Sequence, residues 1–191
     1  GPNAAAASPR DANNLHNNIP LCIGAKVMLQ ENLWTEAGLV NGAFGRIYDI
    51  AWSPGVVDPR KEPPCLLLVR MDKYSGPRCF DDEAIPETVV PIFTSLRDFQ
   101  YRKNACSRRQ FPVTIAYAIT VHKSQGATLS LVVLDINTKI KTAGLVYVAV
   151  SRATRFNGIM FDDSFELKDL RMEKDQVGDW RARDLERRQG L

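Results

Sequence analysis

Two short stretches carry the side chains that could do chemistry. The first is AITVHKSQGATLS, residues 118–130, which runs straight into the apolar segment LVVLDI at 131–136. A strand ending in His-Lys-Ser-Gln-Gly sets polar groups at its carboxyl edge, where open parallel sheets bind ligands. Lys123 can neutralise a phosphate, and the Thr120 and Ser124 hydroxyls can donate to phosphate oxygens. Gly126 lets a backbone N–H approach closely, and His122 can hydrogen-bond to a base or stack on it. An ordinary solvated loop would have the same composition.

The second stretch is YVAVSRATR, residues 147–155. Arg152 sits among small and apolar residues, at the end of what reads as a buried helix. Burying a guanidinium costs several kcal/mol unless it is paired. Its planar fork suits a phosphate or a carboxylate. A structural ion pair with Asp135 or Asp162 is the other reading.

Stepping outward, the apolar pattern supplies elements to hold these residues. LCIGAKVMLQ (21–30) reads as a strand with a turn at Gly24, and Asn41-Gly42 as the two-residue turn of a hairpin. From Ser53 to Gln110, prolines separate short strands at 65–71, 87–93 and 98–103, the texture of a small β-barrel. VTIAYAITV (113–121) is apolar and β-branched, with a first half that also suits a helix. LVVLDI has the near-continuous apolar character of a strand covered on both faces. A helix at 143–154 and a strand at 158–162 complete an α/β pattern. The polar tail 171–191 is helix-prone, with six basic and five acidic residues and Trp180 to dock it. Residues 1–18 read as a cloning remnant and disordered linker.

Composition narrows the classes. Of 191 residues, 45% are hydrophobic and 25% charged, which argues against wholesale disorder. The net charge of +3 does not announce a nucleic-acid binder, so only a local basic face could serve. One such face is Arg97, Arg102, Lys103, Arg108 and Arg109, with Asp98 the one acid among them. The four cysteines are scattered and the two histidines far apart, so no metal site is expected. No apolar run approaches the ~20 residues of a membrane span. No glycine is followed by lysine, so the phosphate-cradling loop G-x-x-x-x-G-K-[ST] is absent.

Read in order, GAKVMLQEN (24–32), LVNGAFG (39–45), RQFPVTIAYAITVHKSQGATL (109–129) and YVAVSRAT (147–154) resemble the C-terminal half of the Pif-type, RecD-like DNA helicases of superfamily 1. The resemblance implies a RecA-like parallel sheet flanked by helices, built from 19–47 and 109–170. It also implies an SH3-like barrel inserted at 48–108, followed by a polar C-terminal helix over 171–191. It implies 5′-to-3′ movement on single-stranded DNA, driven by ATP and magnesium in the whole enzyme. Under it, Thr120 and His122 face the DNA strand with Lys123 and Ser124 beside them, while Gln125, Gly126 and Thr128 lie near the nucleotide. Arg152 matches the arginine that reaches the γ-phosphate, an arginine-finger role. Ala127, Ser130 and Val150 depart from the family pattern without removing a charge or hydroxyl from the motifs.

The resemblance further implies a partner domain carrying the phosphate loop, an intracellular place in nucleus or mitochondrion, and work in DNA repair, recombination or telomere maintenance. This chain by itself is expected to bind no cofactor, hydrolyse no ATP and unwind no DNA. Two alternatives stand beside it: a free-standing protein-interaction module derived from a helicase, and a weak single-stranded DNA binder using the basic face.

Overall fold

A continuous apolar run sets the first strand, Lys26–Leu29 (β1), which buries Val27, Met28 and Leu29 in succession. In the computed structural model, which describes residues 2–59, 61–136, 144–165 and 176–189, β1 lies inside an antiparallel sheet. The chain divides into two units, Gly1–Ala118 and Ile119–Leu191.

The first unit is built on five strands: β1, Phe44–Ala51 (β2), Leu66–Met71 (β3), Val89–Ile92 (β4) and Val113–Ile115 (β7). Their order is β4-β3-β2-β1-β7, and every neighbouring pair is antiparallel. The core under the sheet gathers Val27, Leu29, Ile47, Leu67, Val69, Ile92, Phe111 and Val113. Ser95–Tyr101 (β5) and Asn104–Gln110 (β6) form a separate two-stranded hairpin.

This arrangement corrects the expected strand direction. β1 and β7, assigned to a parallel sheet, instead flank each other antiparallel and continue into β2, β3 and β4. Position 48, the expected edge of the insert, lies within β2 at a bulge, where Ile47 pairs with Val69 and Asp49 with Leu68.

Two turns also differ from expectation. Only Gly42 of Asn41-Gly42 takes positive φ (+92°), and Ala43 N–H donates to Val40 O at 2.9 Å, so this is a turn within the long β1–β2 connection. The two-residue hairpin turn is Arg102-Lys103, with φ of +49° and +65° at residues that carry a Cβ.

The opening segment folds rather than trailing as linker. Pro2–Ala6 forms a short helix (α1), and Ala7, Ala12 and Leu15 are buried. Arg108, only 7% exposed, explains this. Its guanidinium donates to Leu15 O at 2.7 Å and Ala7 O at 2.8 Å, and also to Ala4 O. Arg108 stands directly opposite Arg97 across the β5–β6 ladder, a placement that repels. The charges are handled separately: Arg97 pairs with Glu31, and Arg108 takes the carbonyls of the opening segment and stacks 5.6 Å from the Phe99 ring centroid.

The second unit contains a β–helix–β element. Val132–Leu134 (β8) pairs in parallel with Ile159–Phe161 (β9), and Leu145–Val150 (α2) lies between them in sequence. Leu134, Ile136 and Ala149 form its core, joined by Val121, Val132, Val146, Val150 and Ile159. The 131–136 run is thus half covered: Leu134 and Ile136 are buried, but Leu131 and Val133 are 78% and 58% exposed. Gly158 is needed for close approach, since a Cβ there would lie 2.2 Å from Ser130 O. Gln176–Gln189 (α3) carries Asp184 paired with Arg187 and Arg188, both at 2.8 Å, and Trp180 is exposed rather than docked.

Candidate functional site

All eight residues singled out for chemistry fall in the second unit. Val121–Ser124 form one turn of 3-10 helix. Thr120 precedes it in extended conformation, and its Oγ1 accepts from Lys123 N–H at 3.4 Å, an N-cap that closes the turn. Val121 supplies the apolar contact that seats the turn on the Leu134–Ala149 core. Ser124 is buried at 6% exposure, and its hydroxyl donates to Val121 O at 2.7 Å. Thr120, His122, Lys123, Gln125, Gly126 and Thr128 are exposed.

The structure therefore separates two jobs that the sequence merged. Ser124 holds the turn from within, while its neighbours are exposed. Gly126 is required by conformation (φ +79°); no heavy atom lies within 4 Å of the position a Cβ would take. Chain reversal and an open face, rather than a crowded backbone, explain the glycine.

Arg152 follows α2. Leu129 N–H donates to Arg152 O at 2.9 Å, and Thr154 N–H donates to Leu129 O at 3.0 Å, with a parallel bridge between Leu129 and Ala153. These bonds fasten the end of the 120–128 loop to the arginine segment, so two motifs distant in sequence share one place in the fold. Arg152 is half-buried. The expected ion pair with Asp135 or Asp162 is not formed: among the described residues, no carboxylate pairs with Arg152. Its Nε donates to Val148 O and its Nη2 to Ser151 Oγ, both at 2.9 Å. Ser151 escaped sequence reasoning; its only signal is adjacency to the arginine.

The basic face on β5 and β6 is divided by its own contacts. Arg97 and Arg108 are committed as described, leaving Arg102, Lys103 and Arg109 exposed. Among the described residues, no group of three His, Cys, Asp or Glu side chains could hold a metal ion. No described helix is long and apolar enough to cross a membrane.

Hydroxyl, imidazole and ammonium groups share one loop, bonded to a segment bearing an arginine that has no carboxylate partner among the described residues, and these are group types that suit a phosphate. Comparison with known proteins makes the class specific. No protein-family model matches the chain. It is 32% identical over 143 residues to the ATP-dependent DNA helicase PIF1 of Mus musculus, a match covering 74% of this chain and 18% of that protein. It is similar to the crystal structure of the Pif1 helicase from Candida albicans, with a TM-score of 0.62, 25% identity, and coverage of 88% of this chain and 38% of that one. The Bacteroides Pif1 helicase in complex with ADP-AlF3 and single-stranded DNA shares the fold at a TM-score of 0.57 and 24% identity, covering 86% of this chain and 34% of that chain. Over about three quarters of its length the chain is homologous to Pif1-type DNA helicases of superfamily 1. It spans about a fifth of the length of the curated vertebrate relatives it matches.

Proposed function

We propose that this chain is the C-terminal part of an ATP-dependent, 5′-to-3′ DNA helicase, the part that touches single-stranded DNA and supplies an arginine to the γ-phosphate. The observation that carries the reading is Arg152: half-buried, fixed to the 120–128 loop through Leu129, and paired with no described carboxylate. A guanidinium in that position favours an anion that arrives from elsewhere.

Within this reading, Thr120, His122 and Lys123 contact the DNA strand, and Ser124 fixes the turn that presents them. Gln125, Gly126 and Thr128 lie beside the nucleotide, where the open space at Gly126 leaves room for a phosphate. ATP and magnesium belong to the whole enzyme, with the phosphate loop on a partner domain. Residues 19–47 and 109–170 are the second RecA-like domain, whose parallel β–helix–β element lies in the second unit, and 48–108 corresponds to the SH3-like insert. Its place of work is where DNA is, in the nucleus or mitochondrion. The Bacteroides complex, which holds ADP-AlF3 and single-stranded DNA, supports both ligand classes.

The test is titration of a fluorescent oligothymidylate across a salt series. Weak binding with a steep salt slope is expected. Lys123→Ala should reduce that slope by about 0.7, the loss of one phosphate contact on a single strand. Arg152→Ala should leave it unchanged. If Arg102→Ala and Arg109→Ala change the slope while Lys123→Ala does not, DNA binds the β5–β6 face instead and the assignment is wrong.

A further inference from the structure

The last turn of α2 tightens. Arg152 N–H bonds to Ala149 O at 3.2 Å rather than to the carbonyl four residues back, so Val148 O loses its helical donor. Two side chains claim it: Ser151 Oγ donates to Val148 O at 3.0 Å, and Arg152 Nε donates to the same oxygen at 2.9 Å. Ser151 Oγ in turn accepts from Arg152 Nη2 at 2.9 Å. The hydroxyl therefore closes a small ring with the carbonyl and one edge of the guanidinium.

The consequence follows from arginine geometry. The guanidinium carries five N–H donors in a rigid plane. The ring uses the Nε–H and one Nη2–H. Both Nη1 hydrogens and the second Nη2 hydrogen remain, and together they make the end-on fork that suits two oxygens of one phosphate. Without the hydroxyl, Nη2 has nothing to hold it, and rotation about the last side-chain bonds would disperse the fork.

We propose that Ser151 is a positioning residue: it pins the inner edge of Arg152 so that the outer fork is set in advance for a phosphate. This rests on the phosphate role proposed for Arg152. Preorganisation of this kind lowers the ordering cost of binding without adding a contact.

The experiment is nitrogen-15 NMR of the arginine side chains on the whole chain, with Arg152→Gln used to assign the Arg152 Nε–Hε signal. Solvent exchange of that hydrogen and its shift on titration with inorganic pyrophosphate are followed. Ser151→Ala should speed exchange about tenfold and weaken pyrophosphate binding about fivefold, and Ser151→Thr should restore both. Ser151→Cys, which keeps the volume but is a poor hydrogen-bonding partner, should behave like Ser151→Ala and guards against a folding defect in either. Unchanged exchange in both the Ala and Cys variants overturns the proposal, as does failure of Ser151→Thr to restore it. If exchange responds as stated but pyrophosphate never shifts Arg152 in the unsubstituted chain, the pinning stands and the phosphate role fails.

Discussion

Arg108 and Arg152 show two uses of one side chain at the end of a helix. Each donates to carbonyls left over where a short helix stops. Arg108 spends its donors on Ala4, Ala7 and Leu15 and is buried, so it fastens the opening segment. Arg152 spends only its inner edge and keeps a fork for something else. Arg108→Ala should therefore cost about 3 kcal/mol, because it strands buried carbonyls. Hydrogen exchange should rise across residues 2–15, with Arg108→Lys recovering less than half for want of the planar fork. Continued protection of those amides in the Ala variant would refute this. In sequence the two arginines looked different from what they are. Arg152 stood out because a charge inside an apolar helix demands a reason. Arg108 merged into a run of basic residues, since nothing local reveals that carbonyls some hundred residues away will reach it.

At the level of elements, the short apolar runs were readable. β3, β4, α2 and β9 lie where alternation or a continuous apolar stretch put them. Turns were less so. Asn41-Gly42 has the composition of a tight hairpin, but Trp34 and Leu39 bridge ahead of it and draw the chain into a longer connection. Arg102-Lys103 has no such composition, yet the full seven-pair ladder of β5 and β6 forces both residues to positive φ. That conformation strains residues bearing a Cβ. Joint replacement, Arg102→Asn with Lys103→Gly, should stabilise the hairpin by about 1 kcal/mol, seen as roughly fivefold slower exchange of its amides. Faster exchange would mean that Arg102 stacked on Tyr101 outweighs the backbone strain. The opening helix was missed for a related reason: alanines carry little apolar periodicity, and the segment is held by Arg108, which donates to Ala7 O just beyond the helix.

For the molecule as a whole, the absence of a Gly-Lys pair has a direct biochemical consequence. In a coupled-enzyme assay with single-stranded DNA, this chain should turn over ATP no faster than its Arg152→Ala variant. Turnover clearly above that variant would overturn this expectation. The likeness to Pif1-type helicases was legible because the motif residues lie in short unbroken strings, 118–130 and 147–155. Strand direction was not, because pairing joins segments that local pattern cannot connect. β1 finds its second neighbour, β7, about ninety residues further along, where Val27 meets Ile115. That separation has a cost in time. Contacts so distant along the chain slow folding, since the intervening loop must close before they form. During synthesis β1 emerges before β7 and keeps one edge unpaired until β7 follows. Until then Val27, Met28 and Leu29, buried in the finished sheet, lie beside an open strand edge, the kind of surface that invites aggregation.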